Sequence, residues 1–313
     1  MGLIRDLLNH IRCGCMDGNN RLQTNIIYHI EALNTWLSRN LSYPLLVEID
    51  VDNNKLSNDI LEKNLNILKN IGTKSIVLVS KDNRISPHFW ELVDMCNRYK
   101  FSIGVDWTGR RIENITPIIN KISAVKISLD KLEDIGKIEN LVMQKKKTSS
   151  TAAILLTSGF AWKDRREHLY GIEEVSRLDV DKIIIEIDED DKKSFGWISR
   201  KISGMNKDIV IKMPTRRKNE FRYCYIINFY CYIDNKGNVL PCRSFKNYKS
   251  TSYGNLKNKD FKEIWANRKT DIYVKDCRYK CRFCNANRFL NNLKHDKSSI
   301  RDFILDDIYT SSY

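Results

Sequence analysis

Six of the nine cysteines in this 313-residue chain fall between Tyr223 and Leu293: Cys224, Cys231, Cys242, Cys277, Cys281 and Cys284. The first three bracket Asp234-Asn235-Lys236-Gly237-Asn238, which has the residues of a hairpin turn between β-rich arms. The last three form a tight C-x-x-x-C-x-x-C run. A hairpin and a distant tight run bring thiolates together on one soft metal centre. No histidine pair accompanies them, so the spacing suits a four-thiolate zinc site as well as an iron–sulfur cluster. Disulfides need an oxidising compartment, and the opening MGLIRDLLNHIRCGC lacks a signal-peptide layout. Cys96, on an apolar helical pattern, and Cys231 read as small buried apolar residues. Cys13-Gly-Cys15 offers too few thiols for a site and reads as incidental.

The elements that must position these thiols come in two kinds. Residues 1–43 are helical in pattern, with Ile26, Ile27, Ile30, Leu33 and Leu37 on one face. From residue 44, short β-branched runs alternate with amphipathic stretches. Strands are expected at 44–50, 75–80, 101–108, 124–130, 151–157 and 182–188. Helices are expected between them at 57–72, 87–100, 114–122, up to about 146, 163–178 and 190–203. Ser57 or Asn58 caps the first of these helices and Gly72 ends it. Such alternation specifies a parallel α/β sheet with right-handed crossovers. Six units are too few for a closed eightfold barrel, which leaves a partial TIM-type barrel or an open sheet. An extra strand at 208–215 leads into the cysteine-rich part. The expected division is a helical segment 1–43, a partial barrel 44–206, a cysteine-rich domain 207–293 and a tail 294–313.

The formal net charge is +14, from 53 basic and 39 acidic residues. Arg216, Arg217, Arg222, Arg243, Lys246, Arg278, Lys280 and Arg282 crowd the C-terminal third. The ordinary reading is a solvated basic surface, some of which offsets an anionic cluster; nucleic acid or an acidic partner is the other. No apolar run approaches the ~18–20 residues of a membrane helix. A cytosolic, reducing setting is expected.

Cys224, Gly237 after twelve residues and Cys242 after four more resemble the opening of the SPASM/Twitch auxiliary-cluster domain. GNL…FKEIWAN (Gly254 to Asn267) resembles its linker, and CRYKCRFCNANRFLNNL resembles its end. That domain closes many radical S-adenosylmethionine enzymes. GTKSIVLVS, PHFWELVDMCNRYKFSIGVDWTG and AVKISLD are similar to barrel units of the same family, so the likeness runs from about 44 to 293. The resemblance implies a six-unit partial barrel followed by a small SPASM/Twitch-like domain. It implies one auxiliary [4Fe–4S] cluster held by Cys224, Cys242 and two of Cys277, Cys281 and Cys284. It also places Ser128 and Asp130, at the end of the fourth strand, near the nucleoside.

One part of the family pattern is missing. The loop after the first strand should carry C-x-x-x-C-x-x-C, whose cluster binds and cleaves S-adenosylmethionine. Here it reads Val51-Asp52-Asn53-Asn54-Lys55-Leu56-Ser57-Asn58. Where the family has Gly-Gly-Glu, this chain has Lys81-Asp82-Asn83-Arg84. The expectation is therefore a cluster-bearing chain that does not cleave S-adenosylmethionine by the usual route, with no catalytic residues assigned. It would serve as partner or electron relay of an active enzyme, or as a scaffold for a peptide or modified substrate. An enzyme with atypical cluster ligation and a zinc-stabilised nucleic-acid-binding protein are the alternatives. Asp50, Asp52, Asp106, Thr108 and Asp188 stand at strand ends, where helix capping is their common use.

Overall fold

The structure is a computed structural model. It describes residues 30–39, 42–80, 86–107, 111–129, 135–158, 176–186, 209–212, 222–246, 251–272 and 284–295, with single residues at 170, 173, 174 and 200. One sheet of ten strands organises them, in the order β10-β9-β8-β1-β2-β3-β4-β5-β6-β7. Strands β1 (Leu46–Asp50), β2 (Ser75–Ser80), β3 (Ser102–Trp107), β4 (Ala124–Leu129), β5 (Ala153–Ser158), β6 (Lys182–Glu186) and β7 (Ile209–Lys212) pair in parallel, each with the next. The expected strands are all present. The extra one, β7, lies at the far edge of the sheet rather than beside the cysteine-rich hairpin.

The chain then returns to the opposite edge. Strand β8 (Tyr230–Ile233) pairs in parallel with β1, and β9 (Asn238–Leu240) and β10 (Gly254–Asn255) follow antiparallel. An uncovered β1 would present a row of unpaired backbone groups; β8 covers it. The hairpin of the cysteine-rich segment is thereby built into the sheet.

One face of the sheet carries Val47, Ile49, Ile76, Leu78, Ile103, Val105, Val125, Ile127, Ile154 and Leu156 and is covered by helices. The covering helices are α2 (Asn58–Ile71), α3 (Phe89–Arg98) and α4 (Ile135–Lys147). Ser57 caps α2 by accepting from the Ile60 N–H, and Gly72 ends it at φ 106°, as the sequence implies. The expected helix at 114–122 is instead two 3-10 turns, Ile112–Asn114 and Thr116–Ile118. Pro117 has no N–H to continue an α-helical ladder, which accounts for the break. The expected helices at 163–178 and 190–203 fall largely outside the described residues.

The other face alternates with the first. Leu46, Val77 and Val79 there join Tyr225, Phe229, Tyr230, Tyr232 and Leu240. Helix α1 (Ile30–Arg39) packs on this cluster through Trp36, whose ring lies 5.5 Å from those of Tyr225 and Phe229. This face carries the site.

Candidate metal centre and the ion-pair network beside it

Cys224 and Cys242 are half-buried and pack against the same aromatic cluster. Cys242 follows β9, and Cys224 precedes the 3-10 turn Ile226–Asn228 that leads into β8. The two cysteines thus flank the hairpin, eighteen positions apart in sequence. None of Cys96, Cys224, Cys231 and Cys242 is in a disulfide. Cys96 and Cys231 are fully buried in the helix-covered core, and burial pushes both thiols above the ordinary range. They behave as apolar residues, which agrees with their sequence context.

The late run is described only in part. Cys277 and Cys281 lie outside the described residues, and Cys284 opens α6 (Cys284–His295), the helix described after the short α5 (Phe261–Ala266). Among the described residues no three His, Cys, Asp or Glu side chains stand close enough together to hold a metal. What is described nonetheless fits a thiolate-held group. The Tyr253 hydroxyl and Arg268 Nε are buried without a hydrogen-bond partner among the described residues. Burial raises the Tyr253 pKa, Arg268 opposes the rise, and the thiols of Cys231, Cys224 and Cys242 add to it. Burial lowers the Arg268 guanidinium to about 10. Buried phenol and guanidinium donors without partners are of the kind that tune sulfur-ligated groups; the thiol in the electrostatics of both is the core Cys231, with Cys224 and Cys242 adding to that of Tyr253.

Directly after Cys242 the chain crosses the sheet face and forms an ion-pair network. Arg243 Nε donates to Glu48 Oε2 at 3.2 Å, and its Nη2 donates to Asp106 Oδ2 at 2.8 Å. Lys246 Nζ donates to Asp50 Oδ2 at 2.6 Å. The strand register explains why one short segment reaches all three carboxylates. Asp50 pairs with Val79, which pairs with Asp106, and Glu48 lies two residues earlier on β1, on the same face. Strand β8 adds a matching pair of tyrosines. Tyr230 donates to Glu48 Oε2 and Tyr232 to Asp50 Oδ2, each at 2.7 Å. Burial first, then the Asp50 carboxylate, pushes the Tyr232 phenol well above its ordinary pKa. Glu48, Asp50 and Asp106 are at most 5% exposed, so their charges require these partners. Two sequence readings change here. Asp50 and Asp106 are ion-paired rather than helix caps, and Arg243 and Lys246 face buried carboxylates rather than open solvent.

The loop after β1 is closed. Asp52 is buried, and its Oδ1 accepts from Ser80 Oγ at 2.6 Å. Asn235, in the hairpin turn, donates to Asp52 O at 2.9 Å, and Lys55 N donates to Asn235 O at 2.9 Å. Leu56 is 2% exposed and lies so near Gly237 that a Cβ there would come within 2.7 Å of Leu56 Cδ2. Gly237 is also at φ +89°, where other residues are strained. The hairpin turn therefore seats on the loop in which the resembled family carries its catalytic cysteines. Of the candidate nucleoside contacts, Ser128 Oγ lies 3.0 Å from Thr157 Oγ1, and Asp130 is outside the described residues.

Sequence reasoning missed Glu48, Tyr230, Tyr232 and the buried amide of Asn287. The available signal was the period-two match of Glu48 and Asp50 with Tyr230 and Tyr232, legible only once β8 is known to pair with β1.

Residues 224–285 match the SPASM family, an iron-sulfur cluster-binding domain. Comparison with curated proteins returns no match. Among solved structures, Streptococcus suis SuiB superposes with TM-score 0.55 at 13% identity, over 77% of this chain and 71% of SuiB. SuiB bound to S-adenosylmethionine gives 0.56 at 14%, over 76% and 68%. SuiB bound to its precursor peptide SuiA gives 0.55 at 13%, over 76% and 69%. At this identity the likeness establishes the fold. The chain shares the α/β fold of SuiB, and its residues 224–285 are similar to the SPASM iron-sulfur cluster-binding domain.

Proposed function

We propose that this protein carries one auxiliary [4Fe–4S] cluster, does not cleave S-adenosylmethionine, and works as a peptide-binding partner of an active enzyme. Cys224 and Cys242 would supply two thiolates, and two of Cys277, Cys281 and Cys284 the others. This is the short, Twitch-type arrangement of the domain. A cluster held there would supply a one-electron centre.

The observation that carries the reading is the closed loop after β1. Residues 51–57 contain no cysteine and are hydrogen-bonded to the hairpin turn through Asn235. Ligands of such sheets approach the carboxyl ends of strands. Here those ends carry an internal network of Arg243 and Lys246 with Glu48, Asp50 and Asp106. SuiB in complex with a precursor peptide supports a peptide as the partner's substrate. The alternative as a nucleic-acid binder is weakened because Arg243 and Lys246 are already paired internally.

The test is an anaerobic incubation of cluster-loaded protein with S-adenosylmethionine and dithionite. The expected result is no 5′-deoxyadenosine above a protein-free control. Turnover abolished by replacing Cys13 or Cys281 would establish the atypical-ligation enzyme instead.

A further inference from the structure

Cys224 stands on backbone that belongs to no helix or strand. Its neighbouring peptide groups are nevertheless buried or half-buried, and such groups need partners. One side chain supplies most of them. Asn287 Oδ1, on α6, accepts from Tyr225 N at 2.5 Å and from Ile226 N at 3.2 Å. Asn287 Nδ2 donates to Tyr223 O at 3.0 Å. The residues before and after Cys224 are thus held by a single amide that is 1% exposed. Asn291, one turn further along α6, adds a bond to Tyr223 O at 3.2 Å, and Cys224 N itself donates to Ile272 O at 2.8 Å.

The placement of this amide on the helix matters. Asn287 lies in the first turn of α6, three residues after its opening residue Cys284. The helix that opens with a late cysteine therefore grips the backbone of the first hairpin cysteine within one turn. An amide suits the task because it offers an acceptor with two lone pairs and two donors in one plane. Aspartate keeps the acceptor and loses the donor to Tyr223 O.

We infer that Asn287 is a positioning residue of the cluster site: it fixes the Cys224 thiol against the first turn of α6, so that hairpin and late thiols meet in one geometry. This rests on the cluster reading above. Asn228 is the matched comparison. It is also fully buried, and it donates to Tyr225 O at 3.1 Å and Thr270 O at 3.0 Å. It braces the same turn without touching Tyr223 or α6 in any of these bonds.

The experiment uses the full chain, loaded anaerobically, as wild type, Asn287→Ala, Asn287→Asp and Asn228→Ala. Iron and sulfide content, the EPR signal after dithionite reduction and the rate of iron loss to a chelator are read on each. Thermal midpoints are read on the cluster-free chains. Asn287→Ala is expected to lose iron roughly tenfold faster or more, as outer-shell metal-site variants do, with a changed EPR line. Asn287→Asp is expected to fall between it and wild type. Asn228→Ala is expected to lower the thermal midpoint while keeping the wild-type iron content and EPR line. Wild-type iron retention in Asn287→Ala overturns the inference, as does iron loss that simply follows thermal stability in both variants. If the wild type takes zinc and no iron, the cluster reading fails. The same comparison made on zinc retention then decides the role of Asn287.

Discussion

Glu48, Asp50 and Asp106 would destabilise the sheet if they stood alone, and Arg243 and Lys246 are what make them tolerable. Removing one partner of a buried pair leaves an uncompensated charge, a loss of about 3–5 kcal/mol. Arg243→Ala is expected to lose that much in denaturant unfolding, since it strands two carboxylates; an unchanged midpoint would contradict the network's role. Tyr232→Phe removes one hydrogen bond to a charged group and is expected to cost only about 1.5–3 kcal/mol. Thiol chemistry separates the cysteines. In the native, cluster-free chain at pH 8, an alkylating agent is expected to modify Cys224 and Cys242 and to spare Cys96 and Cys231, checked by peptide mass mapping. The same buried thiols set a pH limit. Their folded pKa lies above the ordinary value of 9.0, so the folded chain keeps protons that the unfolded chain releases. Their stabilising contribution is complete below pH 9 and declines as the pH rises from there, which alkaline unfolding curves will show. At this scale the sequence was legible for the hairpin and opaque for the carboxylates. Cys224, Gly237 and Cys242 announce a hairpin by local spacing. Glu48 and Arg243 are 195 positions apart, and nothing local links them.

The decisive element is the hairpin, because one piece of chain does two things. Its strand β8 covers the edge of β1, and its turn seats on the loop that follows β1. Gly237 is the tightest point, with a positive φ and Leu56 against it. Gly237→Ala is expected to destabilise the chain by roughly 1–3 kcal/mol through strain and overpacking. It is also expected to speed amide exchange at Lys55, whose N–H bonds to Asn235 O in the turn. Unaltered exchange at Lys55 would mean that the turn does not hold the loop. Periodicity revealed nearly every strand and the cap of α2, since those signals are local. It mistook 114–122 for a helix because the apolar spacing outweighed Pro117, and two 3-10 turns satisfy both.

Across the whole molecule, the parallel run β1–β7 was legible as an alternation of strand and helix, while the return of the chain from β7 to β1 was not. No hydropathy pattern encodes which strand edge a distant hairpin will cover. The functional proposal rests on that return: the hairpin turn closes over the loop that follows β1. No described helix is long and apolar enough to cross a membrane. The most direct measurement is the iron, sulfide and zinc content of anaerobically purified protein, wild type and Cys224→Ala/Cys242→Ala. One auxiliary cluster predicts about four irons and four sulfides per chain in the wild type, lost in the variant. About eight irons would reveal a second cluster and contradict the account; zinc in place of iron would contradict it as well, leaving a structural metal in a binding protein.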